Sequence, residues 1–155
     1  MPTFELTKAA LPEGVSLVWN EAIGNFSLAD AKISAWVDLL QRYKDEGVPI
    51  DGIGVQGHSI SKRQNLTEAR AFLEKVVEMG YTVEITEVDA PITVFLGDDN
   101  NTDPLQEQAD LFADYARVCI EFPNKTCKGI TFWGLSDAYT WYDFSLPVRL
   151  PICLF

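Results

Sequence analysis

Apolar segments rich in β-branched residues alternate along this chain with longer segments whose apolar residues recur at helical spacing. The apolar segments occupy residues 15–19, 49–58, 82–88 and 129–135, and the helical segments occupy residues 4–10, 28–46, 66–79 and 104–120. This alternation predicts parallel strands joined by right-handed helical crossovers. We therefore predict an α/β fold with about four parallel strands and three to four helices.

Cap residues mark the predicted ends of two helices. Ser27 is the predicted N-cap of the second helix, Asp30 follows it in a capping-box-like pattern, and Gly47 ends the helix. Asn65 and Gly80 bound the third helix in the same way. The first helix ends before Pro12 and the fourth is predicted to begin at Pro104.

The glycines of the second strand bear on the choice between two architectures. Four strands with three complete crossovers make either half of an eight-stranded barrel or a small open doubly wound sheet. A dinucleotide-binding sheet would carry a glycine-rich loop that opens a helix. Gly52, Gly54 and Gly57 lie instead inside or at the end of a predicted strand, where they suit close backbone approach. A dinucleotide site is therefore not indicated, and no cofactor is expected.

The composition fits one globular domain over residues 1–155, with 47% apolar and 23% charged residues. The net charge of −11 argues against binding to nucleic acid or to an anionic membrane surface, whereas a neutral sugar is not repelled. No run of about 18 apolar residues predicts a membrane span. The N-terminal residues 1–6 lack the basic start and apolar run of a signal peptide.

The cysteines and glycosylation motifs favour secretion. Cys119 and Cys127 are separated by eight positions around a Pro-Asn turn, which is compatible with a short disulfide loop. A metal site is less favoured, because the single histidine is remote and no Cys-x-x-Cys motif occurs. Asn-x-Ser/Thr motifs begin at Asn25, Asn65, Asn100 and Asn124. We expect a secreted, extracellular protein without a bound metal.

Polar or aromatic side chains follow each predicted strand. They are Asn20 and Glu21, Gln56 and His58, Glu87 and Asp89, and Trp133, with Asp137, Tyr139 and Trp141 in the loop beyond. Because the C-terminal ends of parallel strands form one face, these groups are expected to converge. Carboxylates perform the steps of glycoside hydrolysis, amides bind hydroxyl groups, and indole faces stack on sugar rings. The pattern predicts a carbohydrate-processing site.

These residues also have plain structural interpretations. A lone histidine such as His58 is more often a hydrogen-bonded structural residue, a lone Trp133 is more often part of a core, and an acid at a strand end is often merely solvated. Beside Glu87 on the adjacent strand, however, His58 becomes a hydrogen-bond partner that keeps the carboxylate ionised. The predicted contact between His58 and Glu87 therefore favours a catalytic role over a purely structural one.

Three stretches of this chain resemble the family 10 glycoside hydrolases, mainly endo-1,4-β-xylanases. They are Gly-Val-Pro-Ile-Asp-Gly-Ile-Gly-Val-Gln-Gly-His at residues 47–58, Ile-Thr-Glu-Val-Asp at residues 85–89 and Gly-Ile-Thr-Phe-Trp-Gly-Leu-Ser-Asp-Ala-Tyr-Thr-Trp at residues 129–141. The resemblance covers essentially the whole chain and includes the loop between Cys119 and Cys127. It implies a partial (β/α)8 TIM barrel made of strands five to eight, with the N-terminal half lacking.

The resemblance also implies a role for each site residue. Glu87 would be the nucleophile of a retaining mechanism, with His58 as its hydrogen-bond partner. Asp89 would support these two residues without contacting the sugar. The sugar-binding residues would be Asn20, Gln56, His58, Trp133 and Trp141.

The general acid/base is where the chain departs from the family pattern. In the family this residue is a glutamate in an Asn-Glu pair that ends strand four, and strand four is not among the matched strands. Asn20-Glu21 is similar to that pair, but its distance from residues 47–50 aligns it with strand five. Strands five and seven lie roughly 9–10 Å apart, and two inward carboxylates could close that gap to the roughly 5–5.5 Å of a retaining pair. Glu21 is therefore kept as an alternative acid/base.

Two functions remain open at this stage. The first is a retaining endo-1,4-β-xylanase-like glycoside hydrolase that acts on xylan or xylo-oligosaccharides. The alternative is a non-catalytic xylan-binding or degenerate half-barrel module, and a half-barrel fragment with no independent role is a third possibility. A half barrel has two open sheet edges, and its inner apolar side chains are expected to meet water. We therefore expect a homodimer, or a partner chain that supplies the other half of the barrel.

Overall fold

The computed structural model describes residues 2–22, 30–59, 66–92, 103–136 and 140–141. Four strands alternate with four helices over these residues. In chain order the elements are α1 (Pro2–Ala10), β1 (Val18–Glu21), α2 (Ala31–Asp45), β2 (Gly52–His58), α3 (Leu66–Glu78), β3 (Thr82–Asp89), α4 (Pro104–Ile120) and β4 (Cys127–Phe132), with a short 3-10 turn at Pro123–Lys125. Within these ranges no helix is both long enough and apolar enough to cross a bilayer.

The strands form one parallel sheet in the order β1-β2-β3-β4. The predicted α/β fold with four parallel strands is confirmed. A doubly wound sheet reverses its strand order at a switch point, whereas a barrel adds each new strand beside the previous one. The consecutive order therefore selects the barrel-type arrangement from the two architectures that the alternation left open.

The apolar core lies between the sheet and the helices. Strand side chains alternate between the two faces of a sheet, and on the helix-facing side of β2 and β3 the side chains of Ile53, Val55, Val83 and Ile85 are at most 2% exposed. These side chains pack in one buried cluster with residues of α2, α3 and α4. Burial of this face against the helices explains why the helical apolar stripes could be recognised in the sequence.

The opposite face of the sheet, which would line the interior of a barrel, is small and polar. Its side chains belong to Val18, Asn20, Gly52, Gly54, Gln56, Thr82, Glu84 and Thr86. On β2 and β3 the prediction that apolar inner side chains would meet water is therefore wrong, whereas the partly exposed Val18 of β1 agrees with it. The apolar residues of β2 and β3 are those that face the helices, and glycine, amide, hydroxyl and carboxyl groups occupy the alternate positions.

Element ends differ from the prediction at three places. Helix α2 begins at Ala31, because the carboxylate of Asp30 accepts hydrogen bonds from the N–H groups of Lys32 and Ile33; the predicted N-cap, Ser27, is wrong and lies outside the described residues. Strand β1 ends at Glu21, so Asn20 and Glu21 belong to the strand. Strand β4 begins at Cys127 and ends at Phe132. The predicted cap Asn65 also lies outside the described residues.

A disulfide between Cys119 and Cys127 links the end of α4 to the start of β4, which confirms the short disulfide loop predicted from the sequence. The intervening turn places Asn124 and Lys125 in the left-handed region, with φ of 57° and 54°. Asn124 is exposed. The asparagines of the other three glycosylation motifs and the third cysteine, Cys153, lie outside the described residues.

Helix α1 is attached to the sheet through Asp51. The Asp51 carboxylate accepts a hydrogen bond from Lys8 Nζ at 2.6 Å and another from the N–H of Leu17 at 2.6 Å. The Lys8 bond is the main reason that the pKa of Asp51 lies below its ordinary value. These bonds fix the segment that leads into β1.

Candidate active site

A bulge near the end of β3 determines where Glu87 points. Gln56 of β2 pairs with Thr86, but the next paired residues are His58 and Asp89, so β3 contains one extra residue here. The register with β4 shifts over the same stretch. Glu87 has a φ of 55°, a left-handed conformation that is uncommon for a non-glycine residue. The bulge lets the consecutive side chains of Thr86 and Glu87 reach the same inner face of the sheet.

The left-handed conformation of Glu87 predicts an unusual stability order. A glycine adopts positive φ without strain, whereas a residue with a Cβ does not. Glu87→Gly is expected to be more stable than Glu87→Ala by about 1 kcal/mol. Urea denaturation of the two variants measures this difference, because both lack the carboxylate and differ only in the Cβ.

Glu84 provides the matched control for this comparison. It lies in the same strand with an ordinary φ, so Glu84→Gly should be less stable than Glu84→Ala by about 0.5–1 kcal/mol. The same order at both positions would show that Glu87 is not strained.

His58 lies between two carboxylates. Its Nδ1 is 2.6 Å from Asp89 Oδ1 and its Nε2 is 3.1 Å from Glu87 Oε2. The side chains of Asp89, Glu87 and His58 are 1%, 14% and 16% exposed. Burial lowers the pKa of His58, but the hydrogen bonds and charges of Asp89 and Glu87 raise it by more, so the pKa lies above its ordinary value. When His58 is protonated, both of its ring nitrogens donate, so the imidazolium links the two carboxylates.

Asn20 holds Glu87 from the other side. Its Nδ2 donates a hydrogen bond to Glu87 Oε1 at 2.7 Å, while its Oδ1 accepts one from Thr86 Oγ1 at 2.6 Å. Asn20 is on β1 and Glu87 is on β3, so the amide crosses over β2. Gly54 makes the crossing possible, because a Cβ there would lie 2.8 Å from Asn20 Oδ1. Both oxygens of the Glu87 carboxylate therefore have a donor.

Two indole side chains flank this carboxylate cluster. The ring of Trp133 lies 6.2 Å from that of His58, and the ring of Trp141 lies 5.2 Å from it. Trp141 also donates from Nε1 to Asp89 Oδ2 at 2.7 Å. The two indoles are 45% and 38% exposed. Large exposed aromatic faces beside a nearly buried carboxylate are suited to stacking against a sugar ring.

Glu21 faces away from this cluster. It follows Asn20 in β1 and therefore points to the opposite side of the sheet. Its carboxylate lies 3.3 Å from Lys32 Nζ in the first turn of α2. This geometry argues against the alternative in which Glu21 replaces the acid/base, because its carboxylate is on the helix side of the strand.

Comparison with known proteins identifies the family of this chain. The sequence profile described as Glycosyl hydrolase family 10 matches residues 2–152. The chain belongs to glycosyl hydrolase family 10.

Relatives in family 10 include two xylanases. A β-1,4-xylanase of Dictyoglomus thermophilum is 34% identical over 116 residues, which are 72% of this chain and 32% of the relative. Endo-1,4-β-xylanase 1 of Humicola insolens is 32% identical over 145 residues, which are 90% of this chain and 31% of the relative. The chain thus spans about a third of the length of these two family 10 proteins.

A solved family 10 structure shows the same fold. Xylanase 10B of Thermotoga petrophila, in complex with xylobiose, superimposes with a TM-score of 0.76 and 31% sequence identity, covering 94% of this chain and 42% of that chain. The prediction of a partial (β/α)8 TIM barrel is confirmed.

The structure brings most of the predicted family 10 site residues together. His58, Asp89, Glu87 and Asn20 form one hydrogen-bonded chain, with Trp133 and Trp141 beside it. Gln56 is half-buried on the same face of β2 as His58. Asp137 and Tyr139 lie outside the described residues. Sequence reasoning assigned Asn20 to sugar binding, whereas the structure places its amide against Glu87.

Thr86 is the participant that sequence reasoning missed. Its hydroxyl belongs to the same chain of hydrogen bonds, through Asn20. A signal was present in the sequence. Val83 and Ile85 alternate on the helix side of β3, and the next apolar residue is Val88, so one residue between them is out of phase. A phase change of this kind indicates a bulge that turns both Thr86 and Glu87 inward.

Proposed function

We propose that this chain carries the nucleophile half of a retaining endo-1,4-β-xylanase site that acts on xylan or xylo-oligosaccharides. The single observation that supports it most strongly is the Glu87 carboxylate held by donors on both oxygens and placed next to two exposed indoles. The names of the relatives and the xylobiose bound to the Thermotoga petrophila enzyme support the substrate class.

Glu87 acts as the nucleophile in this proposal. It attacks the anomeric carbon, the bond to the leaving oxygen breaks, and a covalent glycosyl-enzyme forms. The donors from His58 and Asn20 fix the carboxylate plane, and orientation of this kind lowers the barrier by avoiding reorganisation during the reaction. Asp89 holds the His58 ring in place, and Trp133, Trp141 and Gln56 bind the sugars.

The acid/base role is assigned to no residue within the described ranges. A retaining enzyme needs a second carboxyl group about 5–5.5 Å from the nucleophile. Glu21 pairs with Lys32 on the other side of β1 and does not fit this role. In the family this residue ends strand four, whereas the resemblance aligns this chain with strands five to eight. Impaired hydrolysis by the chain as given is therefore part of the proposal.

A non-catalytic xylan-binding module is the second candidate. The exposed indoles would bind sugar in either case. The left-handed Glu87 favours catalysis, because a strained backbone at a carboxylate that only bound sugar would bring no advantage.

An aryl β-xylobioside with an activated phenol as leaving group tests the proposal. This leaving group departs without a proton, so phenol release is expected even where the general acid is absent. Glu21→Gln should release phenol at the rate of the unchanged protein, within about 2-fold, since the carboxylate of Glu21 lies on the helix side of β1. Absorbance of the phenolate measures both rates.

The outcomes separate the candidates. Binding of xylo-oligosaccharides without phenol release would support the non-catalytic module. A loss of xylo-oligosaccharide hydrolysis in Glu21→Gln, where the leaving oxygen needs a proton, would restore Glu21 as the acid/base and contradict its placement towards α2.

The partner and the location are also proposals. Strands β1 and β4 each have one neighbour in the described sheet, so a second copy or a partner chain that pairs with these edges would complete a barrel-like sheet. Light scattering at micromolar concentration tests this idea, and a monomer would contradict the homodimer. Secretion is supported by the disulfide, which is typical of oxidising compartments.

A further inference from the structure

We propose that Thr86 is a positioning residue, which fixes the amide of Asn20 so that the Nδ2 group stays directed at Glu87. This inference rests on the proposed nucleophilic role of Glu87 and assigns a new residue to the same site. It concerns the step in which Glu87 is released from the sugar.

The Asn20 side chain must reach across β2 to contact Glu87 on β3. Adjacent strands are about 4.8 Å apart, so β1 and β3 are separated by roughly 9–10 Å. The Asn20 side chain spans this gap over Gly54, where the absence of a Cβ leaves room for its amide. Asn20 is exposed, so packing alone does not hold the amide in place. A second anchor on β3 is needed to orient it.

Thr86 provides that anchor. Its hydroxyl donates to Asn20 Oδ1 at 2.6 Å, and the amide donates from Nδ2 to Glu87 Oε1 at 2.7 Å. An amide has one accepting end and one donating end. Once the hydroxyl occupies the accepting end, the donating end must face the carboxylate. Thr86 therefore acts on Glu87, the next residue in the sequence, through Asn20, which lies two strands away.

The orientation matters because the charge of Glu87 changes during the reaction. When the glycosyl-enzyme forms, the carboxylate becomes a neutral ester and is a weaker acceptor. The amide is then held towards Glu87 mainly by Thr86. An amide that stays in place is ready for the second step without reorganisation.

In that second step a water oxygen bonds to the anomeric carbon while the bond between this carbon and Glu87 breaks. The electron pair of the broken bond returns to Glu87, and the proton of the attacking water passes to a second solvent water, since no described residue is assigned as general base. Negative charge grows on Oε1, where the Asn20 amide donates. The Thr86 hydroxyl should therefore speed breakdown of the intermediate more than its formation.

Thr86→Val tests this inference, because valine has nearly the same shape but no hydroxyl. With an activated aryl β-xylobioside, breakdown of the intermediate limits kcat, whereas kcat/KM reports its formation. Thr86→Val is expected to lower kcat about 10-fold, to lower KM in parallel, and to leave kcat/KM within about 2-fold. Intact-mass spectrometry should show more glycosylated protein at steady state.

Three further variants act as controls. Thr86→Ser keeps the hydroxyl and should restore kcat. Thr82→Val removes a hydroxyl from the same face of β3, one that bonds to the Asp51 carbonyl, and should leave both constants unchanged. In an Asn20→Ala background, Thr86→Val should have no further effect, because Thr86 acts only through the amide. If Thr86→Val lowered kcat by the same factor in the Asn20→Ala background as in the unchanged protein, the inference would be overturned. Failure of Thr86→Ser to restore kcat would also overturn it.

A spectroscopic readout keeps the inference testable without turnover. In the unchanged protein a side-chain amide proton of Asn20 bonds to a carboxylate and should resonate downfield in a ¹⁵N-edited NMR spectrum. Thr86→Val should move it upfield, and Thr86→Ser should not. If the unchanged protein releases no phenol, the proposed function fails, and this resonance alone decides the role of Thr86. An unmoved resonance in Thr86→Val would overturn it.

Discussion

Glu87→Ala is expected to lose phenol release from an activated aryl β-xylobioside by a factor on the order of 10⁴–10⁶. The variant leaves a space where the carboxylate stood, beside the intact donors of His58 and Asn20. Azide added at high concentration should enter this space and attack the anomeric carbon. Because only one displacement then occurs, the product should be the α-glycosyl azide, with inverted configuration.

The product and its control make this result specific to a nucleophile. Proton NMR distinguishes the α-azide from a β-product by the coupling of the anomeric proton. Asp89→Ala is the matched control: it removes a nearby carboxylate that contacts His58 and Trp141, and azide should not rescue it. Rescue of Asp89→Ala, or a β-azide from Glu87→Ala, would show that Glu87 is not the nucleophile.

Two replacements of His58 are expected to separate its two contacts. The amide nitrogen of asparagine can occupy the place of Nδ1, which faces Asp89, whereas that of glutamine reaches the place of Nε2, which faces Glu87. Glutamine leaves Asp89, 1% exposed, without its partner on β2. His58→Gln should therefore lose about 3 kcal/mol of stability, and His58→Asn should lose less.

The two variants should rank in the opposite order in activity, with His58→Asn the less active. His58→Asn keeps the support of Asp89 but removes the donor to Glu87 Oε2, so phenol release should fall about 100-fold. His58→Gln retains a donor near Glu87 and should fall less. Urea denaturation and phenol release, measured on both variants, check the two orders. If one variant were the worse in both stability and activity, this would contradict separate roles for the two contacts of His58.

The contribution of His58 to stability should also depend on pH. Its pKa in the folded protein lies above the ordinary value of 6.5, because the carboxylates of Asp89 and Glu87 outweigh the effect of burial. A raised folded-state pKa means that the stabilisation is complete below 6.5 and is lost as the pH rises through the folded-state value. The melting temperature should therefore fall over that interval, and neither His58 variant should show this fall. His58 is the single histidine of the chain, so its NMR titration is unambiguous.

The parallel sheet and its helices could be predicted because their signals are local. Apolar residues such as Phe72 and Val76 recur at helical spacing, and the helix from Pro104 to Ile120 begins and ends where the sequence indicated. Both patterns arise because each helix buries one stripe against the sheet. The start of α2 was missed because Ser27 and Asp30 both make good caps, and only the folded backbone shows which one is used.

The candidate site was predicted as a set of residues but not as a geometry. That the residues at the strand ends converge follows from parallel strands alone. The contact of Asn20 with Glu87 does not, because it depends on a bulge at Glu87 and on a missing Cβ at Gly54. Both are long-range conditions that involve three strands. The same limit explains why Glu21 remained a candidate: its direction depends on which residue of β1 faces the helices.

Covalent trapping tests the proposed role of Glu87 most directly. A 2-deoxy-2-fluoro xylobioside with an activated leaving group forms the glycosyl-enzyme but breaks down slowly, since the fluorine destabilises both transition states. After incubation and proteolysis, mass spectrometry should find one sugar adduct, on the peptide that contains Glu87, and none in Glu87→Gln. An adduct on another carboxylate, or turnover of the aryl xylobioside without any adduct, would contradict the nucleophilic role of Glu87.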